Sequence, residues 1–249
     1  MRRKPAVGWI ALAAGILFLA SGCSSIERTL LYFPSHRPAN GGLTSWVKDG
    51  AVIGYSRQVE APRTVWLMLH GNGGQASGRG YAIPSFSPGD SVFVLEYPGY
   101  GNRPGVPSKA AFNRAAAEAY LFLRETFPKI PVCVAGESLG TGPASFLASL
   151  ASPPDKVVLI VAFDKLSLVA RDHYPALVVG LLLSDDWDNV DALSHYQGPV
   201  EIYGATADTV IPVVHAKALA AAVPGTKFIL LDGGHNDWSR LDRVRIRNP

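Results

Sequence analysis

The stretch VAGESLGTGPA, Val134–Ala144, surrounds Ser138 with glycines at 136, 140 and 142. With glycine at 25 of 249 positions, the pentapeptide Gly136-x-Ser138-x-Gly140 recurs by chance, so its flanks decide its meaning. Upstream, Ile130–Ala135 is a continuous apolar run of the length of a buried strand. Downstream, Leu139–Leu150 reads as a helix that tolerates Pro143 in its first turn. A serine on a sharp strand-to-helix turn is forced into a strained backbone conformation, and glycines two residues to either side remove the clashes. The plainer alternative, a serine that caps a helix, predicts no partners elsewhere in the chain.

Outward from this turn, short apolar runs alternate with helical patterns. Strands are expected at Ala51–Val59, Thr64–Leu69, Ser91–Leu95, Lys156–Phe163, Val200–Tyr203 and Thr226–Leu231. Helical periodicity runs through Ser108–Phe127 and Val213–Ala222, and an apolar helical insertion spans about 164–196. Such alternation predicts an α/β fold with a mostly parallel central sheet covered by helices, and function at the carboxyl ends of its strands.

A serine hydroxyl becomes a nucleophile when a histidine removes its proton and an acid orients that histidine. His235 follows the last expected strand behind the glycine pair Gly233-Gly234, which lets an imidazole reach across the strand ends. His36 falls in the entry segment, His173 and His195 in the insertion, and His215 begins a helix where a solvated face is the simplest assignment. For the acid, Asp208 closes the loop after Val200–Tyr203. Asp164, directly after the preceding strand, is its rival, and Asp185, Asp186 and Asp188 read as a solvated helix end. The loop His70-Gly71-Asn72-Gly73-Gly74 after Thr64–Leu69 allows close backbone approach. A carbonyl oxygen turning negative would meet the N–H groups of Asn72 and Leu139. His70 has no second ligand at metal-binding spacing and is expected to hold this loop; no metal or organic cofactor is called for.

The blocks His70–Gly74, Glu96-Tyr-Pro-Gly-Tyr-Gly101, Gly136–Gly140 and the Asp208 and His235 loops together resemble the α/β-hydrolase superfamily, over about residues 28–238. The chain order Ser138, Asp208, His235 is that of these enzymes. The insertion, with His173-Tyr174-Pro175 and Leu181-Leu182-Leu183, resembles the short-cap branch that includes Bem46-like proteins. Tyr203-Gly204 departs from the His-Gly that relatives often carry. The resemblance implies an esterase, thioesterase or lysophospholipase, with small-molecule or lipid-like acyl substrates.

The N-terminus belongs to another class. Arg2, Arg3 and Lys4 precede an apolar run, Ala6–Ala20, and then Ser21-Gly22-Cys23. This reads as an export signal over residues 1–22, its apolar run shorter than the roughly 20 residues of a membrane span; the alternative is an uncleaved N-terminal anchor helix. Leu19–Cys23 resembles the lipobox of bacterial lipoproteins, although the leucine stands four rather than three residues before Cys23. The resemblance implies a lipid on Cys23 and, with Ser24 following, the periplasmic face of an outer membrane in a Gram-negative source. Residues 23–40 then read as a tether and entry segment, and 41–249 as the hydrolase domain.

The formal charge of +3 falls to 0 once residues 1–22, with three positive and no negative side chains, are removed, so nothing points to a nucleic-acid partner. Cys23 and Cys133 are the only cysteines, and Cys133 reads as a small core residue in a strand.

The expected chemistry is acyl transfer from an ester or thioester to water through Ser138, His235 and Asp208. A serine peptidase of the same fold and a non-catalytic lipoprotein that uses the scaffold for binding are the alternatives. The insertion has two readings, a lid with an apolar underside or amphipathic helices packed on the sheet.

Overall fold

Uninterrupted apolar runs make strands buried on both faces. The computed structural model describes residues 27–37, 40–240 and 244–249. Its strands are β1 (Thr44–Lys48), β2 (Ala51–Arg57), β3 (Val65–Leu69), β4 (Ser91–Leu95), β5 (Val132–Glu137), β6 (Val157–Ile160), β7 (Val200–Ala205) and β8 (Lys227–Leu231). They form one sheet in the order β1-β2-β4-β3-β5-β6-β7-β8. The β1–β2 and β2–β4 pairs are antiparallel, and every other pair is parallel. The strand preceding Ser138 therefore lies in the middle of the sheet.

Alternation along each strand divides the core into two layers. Val65, Leu67, Val132, Val134, Val157 and Leu159 face one side. Trp66, Met68, Cys133, Ala135, Val158 and Ile160 face the other. The helices are α1 (Lys109–Thr126), α2 (Thr141–Ala148), α3 (Leu166–His173), α4 (Ala176–Leu182), α5 (Asn189–Leu193) and α6 (Val213–Ala222). The first layer is filled from α1, α2 and α6. Helix α1 starts where the Ser108 side chain accepts the Ala111 N–H at 3.1 Å. It buries Phe112, Ala115, Ala119 and Leu123 at helical spacing.

The second layer is covered differently. It meets the 3₁₀ segment Ala76–Ser85, the short turn Trp238–Arg240 and the last residues of the chain. Ile246 donates its N–H to the Ser85 carbonyl at 2.8 Å, and the Lys156 ammonium donates to the Arg247 carbonyl at 3.0 Å. Val244 and Ile246 are buried. The chain end is therefore part of the core, beyond the region that carries the sequence resemblance.

Several boundaries differ from expectation for local reasons. Strand β1 went unrecognised, although Asp49-Gly50, with φ of 51° and 77°, is the two-residue turn that joins it to β2. Strand β6 ends early because Val161, at φ 47°, turns the chain out of the sheet. The apolar stretch 166–183 is two helices, broken at Tyr174-Pro175. Residues 27–37 lie against the domain: Tyr32 is buried beside Phe112, and Glu27 accepts the N–H groups of Ser184 and Asp185.

Replacing Ile246 with Ala removes a fully buried side chain from the second layer. The expected loss is about 3 kcal/mol, read from denaturant unfolding of the full chain. An unchanged midpoint would show that the chain end is not part of the core.

Candidate active site

Strand β5 delivers Ser138 onto a 3₁₀ turn, Ser138–Gly140, that leads into α2. Ser138 has φ 53°, a left-handed conformation costly for a residue with a side chain. The flanking glycines are required by contact. A Cβ on Gly136 would stand 2.6 Å from the Gly140 carbonyl oxygen, and one on Gly140 would strike the carbonyl of Leu69. The turn is thus pressed against the end of β3.

Two distant loops meet Ser138 here. His235 Nε2 lies 2.9 Å from Ser138 Oγ, and His235 Nδ1 lies 2.7 Å from Asp208 Oδ2. With Nδ1–H donating to the carboxylate, Nε2 is left to accept the serine hydroxyl. The other Asp208 oxygen accepts the N–H groups of Val210 and Ile211 at 2.9 and 2.8 Å. Backbone bonds from Thr206 to Leu231 and from Ala207 to Gly233 join the acid loop to the histidine loop. Gly234 donates to Asp237 Oδ2 at 2.8 Å, which tightens the turn around His235.

Asp164, the rival acid, is engaged elsewhere. It accepts from His215 Nδ1 at 2.8 Å, while His215 Nε2 reaches Asp172 on α3 at 2.8 Å. The expectation of a solvated His215 is therefore corrected: the first turn of α6 meets Asp164 of the loop after β6 and Asp172 of α3, and the ring is buried between the two carboxylates. The acidic group is not merely a solvated end either. Asp188 caps α5 through the Asp191 N–H, Asp186 accepts from Ser167, and Asp185 accepts the Tyr32 hydroxyl. His173 bonds to the Val210 carbonyl, His36 bonds to that of Gly101, and His195 lies on the surface.

Asn72, Ser138 and Leu139 share one cavity of about 360 Å³ with Phe163, Leu166 and Tyr174. Leu139 is the second residue of a helical start, where an N–H has no acceptor within the helix. The Asn72 side chain is held away, its oxygen accepting from Tyr100 at 2.8 Å and its amide donating to the Leu31 carbonyl. His70 is fully buried; Nδ1 lies 2.7 Å from the Gly71 carbonyl, and burial holds the ring below the ordinary imidazole range. Burial likewise pushes the Cys133 thiol up to about 12, as suits an inert core residue.

One residue was underrated in the sequence. Glu137 reads as the variable position of the turn, yet strand alternation sends its side chain into the second layer, away from the cavity. There its carboxylate accepts Gly71 N–H at 3.2 Å, the Tyr81 hydroxyl at 2.9 Å and the Trp238 indole at 3.1 Å. Arg79 stands 3.6 Å away and also donates to the Gly71 carbonyl. Burial first, and then the Glu137 charge, raises the Tyr81 phenol above its usual range, so it remains a donor. Glu137 thus joins the Asn72 loop to the turn that follows His235. Only a charged residue at the variable position hinted at this.

The order of the sheet, the turn at Ser138 and the helical insertion between β6 and β7 give the chain the α/β-hydrolase fold. Solved structures with this fold include a hydrolase from Pseudomonas aeruginosa PA01, with a TM-score of 0.62, 18% identity, and coverage of 82% of this chain and 95% of that one. Another is an alpha-beta hydrolase from Vibrio vulnificus, with a TM-score of 0.61, 18% identity, and coverage of 75% and 71%. In sequence, the chain is 30% identical to Uncharacterized protein Rv2307c of Mycobacterium tuberculosis over 97% of this chain and 91% of that protein, and it belongs to the same family. It is also 30% identical to Lysophosphatidylserine lipase ABHD12 of Danio rerio over 66% of this chain, spanning about half (48%) of that protein's length. No family model matches the chain.

In Glu137→Gln the amide nitrogen would face donors, and one of the three bonds would be lost. Labelling of Ser138 by a fluorophosphonate is expected to slow about 100-fold, the scale of a 1 Å misplacement, while the fold stays intact by circular dichroism. Labelling at the unaltered rate would reduce Glu137 to a packing residue.

Proposed function

We propose that the chain is a serine hydrolase that cleaves carboxylic ester or thioester bonds through an acyl-enzyme on Ser138. The observation that carries this reading is the continuous hydrogen-bonded path Ser138–His235–Asp208, 2.9 and 2.7 Å long, beginning at a serine with positive φ. Ser138 Oγ attacks the carbonyl carbon as its proton passes to His235 Nε2, and Asp208 stabilises the imidazolium. The developing oxyanion is received by the N–H groups of Leu139 and Asn72. His235 then returns the proton to the leaving alkoxide or thiolate. A water activated by the same ring attacks the acyl-enzyme, and the acid is released.

The cavity supports a substrate class within this reading. Leu166, Val169 and Leu183 from the insertion close over Ser138, so the walls fit an acyl chain better than a polar group. This favours the lid reading of the insertion. It also agrees with the lipase named among the relatives, and monoacyl lipid esters are the substrates proposed.

The short-cap, Bem46-like assignment belongs to the same reading, as does a lipoprotein-type leader with Cys23 lipidated and the domain held at a membrane outside the cytoplasm. Cys23 lies outside the described residues.

Ser138→Ala is expected to lower turnover of a soluble chromogenic ester by roughly 10⁵-fold or more, and full activity in that variant would remove the assignment. Mass spectrometry of the membrane-extracted chain is expected to show an N-terminal lipidated Cys23; an intact Met1 would refute the leader.

A further inference from the structure

Helix α4 reads Ala-Leu-Val-Val-Gly-Leu-Leu and has no polar side chain on any face. A helix apolar all round belongs in a core or in lipid. Yet only Val179 is buried; Leu177 is 74% exposed and Leu181 69% exposed. Across a groove from α4 stands the helical turn of residues 27–31, whose Leu30 is also exposed. Among the described residues, Glu27 is the one charged side chain on the groove wall, and it is turned inward onto the N–H groups of Ser184 and Asp185. The groove adjoins the Ser138 cavity, with Leu31, Ala170, Tyr174 and Leu183 lining both.

What covers this face is indicated by the chain that precedes it. Glu27 forms part of the groove wall, and the apolar run Ala6–Ala20 and Cys23 lie just upstream. From Cys23 to Glu27 even a fully extended chain spans at most about 14 Å. That is half the roughly 30 Å hydrocarbon thickness of a bilayer. A membrane that holds Cys23 therefore has this face within reach, as does one that holds the apolar run, whose last residue Ala20 is at most about 25 Å of extended chain from Glu27. Arg28 and Arg171, exposed on the two helical segments beside it, suit anionic headgroups.

We propose that α4 and Leu30 form a bilayer-docking surface that seats the mouth of the Ser138 cavity on the lipid and admits one acyl chain from it. Docking stands on the exposed apolar face and the short reach to the upstream segment. Acyl entry rests in addition on the serine-hydrolase reading. Leu177 and Leu181 enter the headgroup boundary, Tyr174 lies where groove and cavity meet, and a lipid chain passes between Leu30 and Val178 toward Ser138.

The test uses the full chain reconstituted in vesicles of phosphatidylethanolamine and phosphatidylglycerol. In Leu181→Trp, the added indole emission, taken as the difference from the unaltered chain, should be quenched by brominated acyl chains. In the double variant Leu177→Glu, Leu181→Glu, hydrolysis of an ester embedded in the vesicle should fall about tenfold or more, with a soluble ester still cleaved at the unaltered rate. An unquenched, water-exposed indole overturns docking. An indole shielded yet unquenched, in a chain that cross-links to a second copy, assigns the face to a dimer and also overturns it. Quenching together with undiminished hydrolysis of the embedded ester overturns acyl entry. Quenching in a chain that cleaves neither ester supports docking and refutes the serine-hydrolase reading instead.

Discussion

At the end of β5 three elements meet backbone to backbone, and the site is built outward from that contact. Gly140 lies against the Leu69 carbonyl, and Gly136 lies against Gly140, so that the ends of β3 and β5 and the start of α2 touch through main chain alone. A Cβ at either position would push these elements apart. Their contact bends the chain so sharply that Ser138 takes φ 53°, and it brings Leu139 beside the loop at residues 70–74. The strain at one serine is held by the parallel sheet on both sides of β5. Local geometry of this kind persists only where its surroundings over-determine it.

From that turn the two faces of the sheet take different tasks. Ser138 opens toward the cavity, whereas Glu137, its neighbour in sequence, reaches into the opposite layer and gathers Gly71, Tyr81 and Trp238. The loop beside the cavity and the turn that carries His235 are thereby held from beneath by one carboxylate. Above the cavity, the insertion is fastened by a second set of charges, with Asp172 of α3 bound to His215 and Lys165 bound to Asp188. The insertion is thus tied to α6 through Asp172, and its two ends are joined to each other through Lys165 and Asp188, while α4 projects apolar side chains outward.

Much of this was legible because it is written in local pattern. Continuous apolar runs identified the parallel strands, and the helical period identified α1 and α6. What was missed had weak local signals. Strand β1 alternates poorly, and only Asp49-Gly50 announced its turn. Ile246 sits in a charged, irregular tail, and its place in the core shows only once the Ser85 carbonyl is seen to take its N–H and Arg247 to meet Lys156. His215 looked solvated because nothing nearby in sequence reveals that Asp164 and Asp172, 51 and 43 residues away, close around it.

The strand-turn-helix around Ser138, the chain order of serine, acid and histidine, and the glycines that make the turn feasible are all readable along the chain. These follow from backbone sterics and periodicity, which act over a few residues. Long-range packing brings Asp208, the acid favoured over Asp164, against His235, and it alone reveals that Glu137 is a hub and that α4 turns its apolar side chains to the outside. Each of those depends on which distant segments pack against one another. The pairing of Ser138 with His235 spans 97 residues, and a hydrogen bond of 2.9 Å over that separation is set by the sheet order, not by any local pattern.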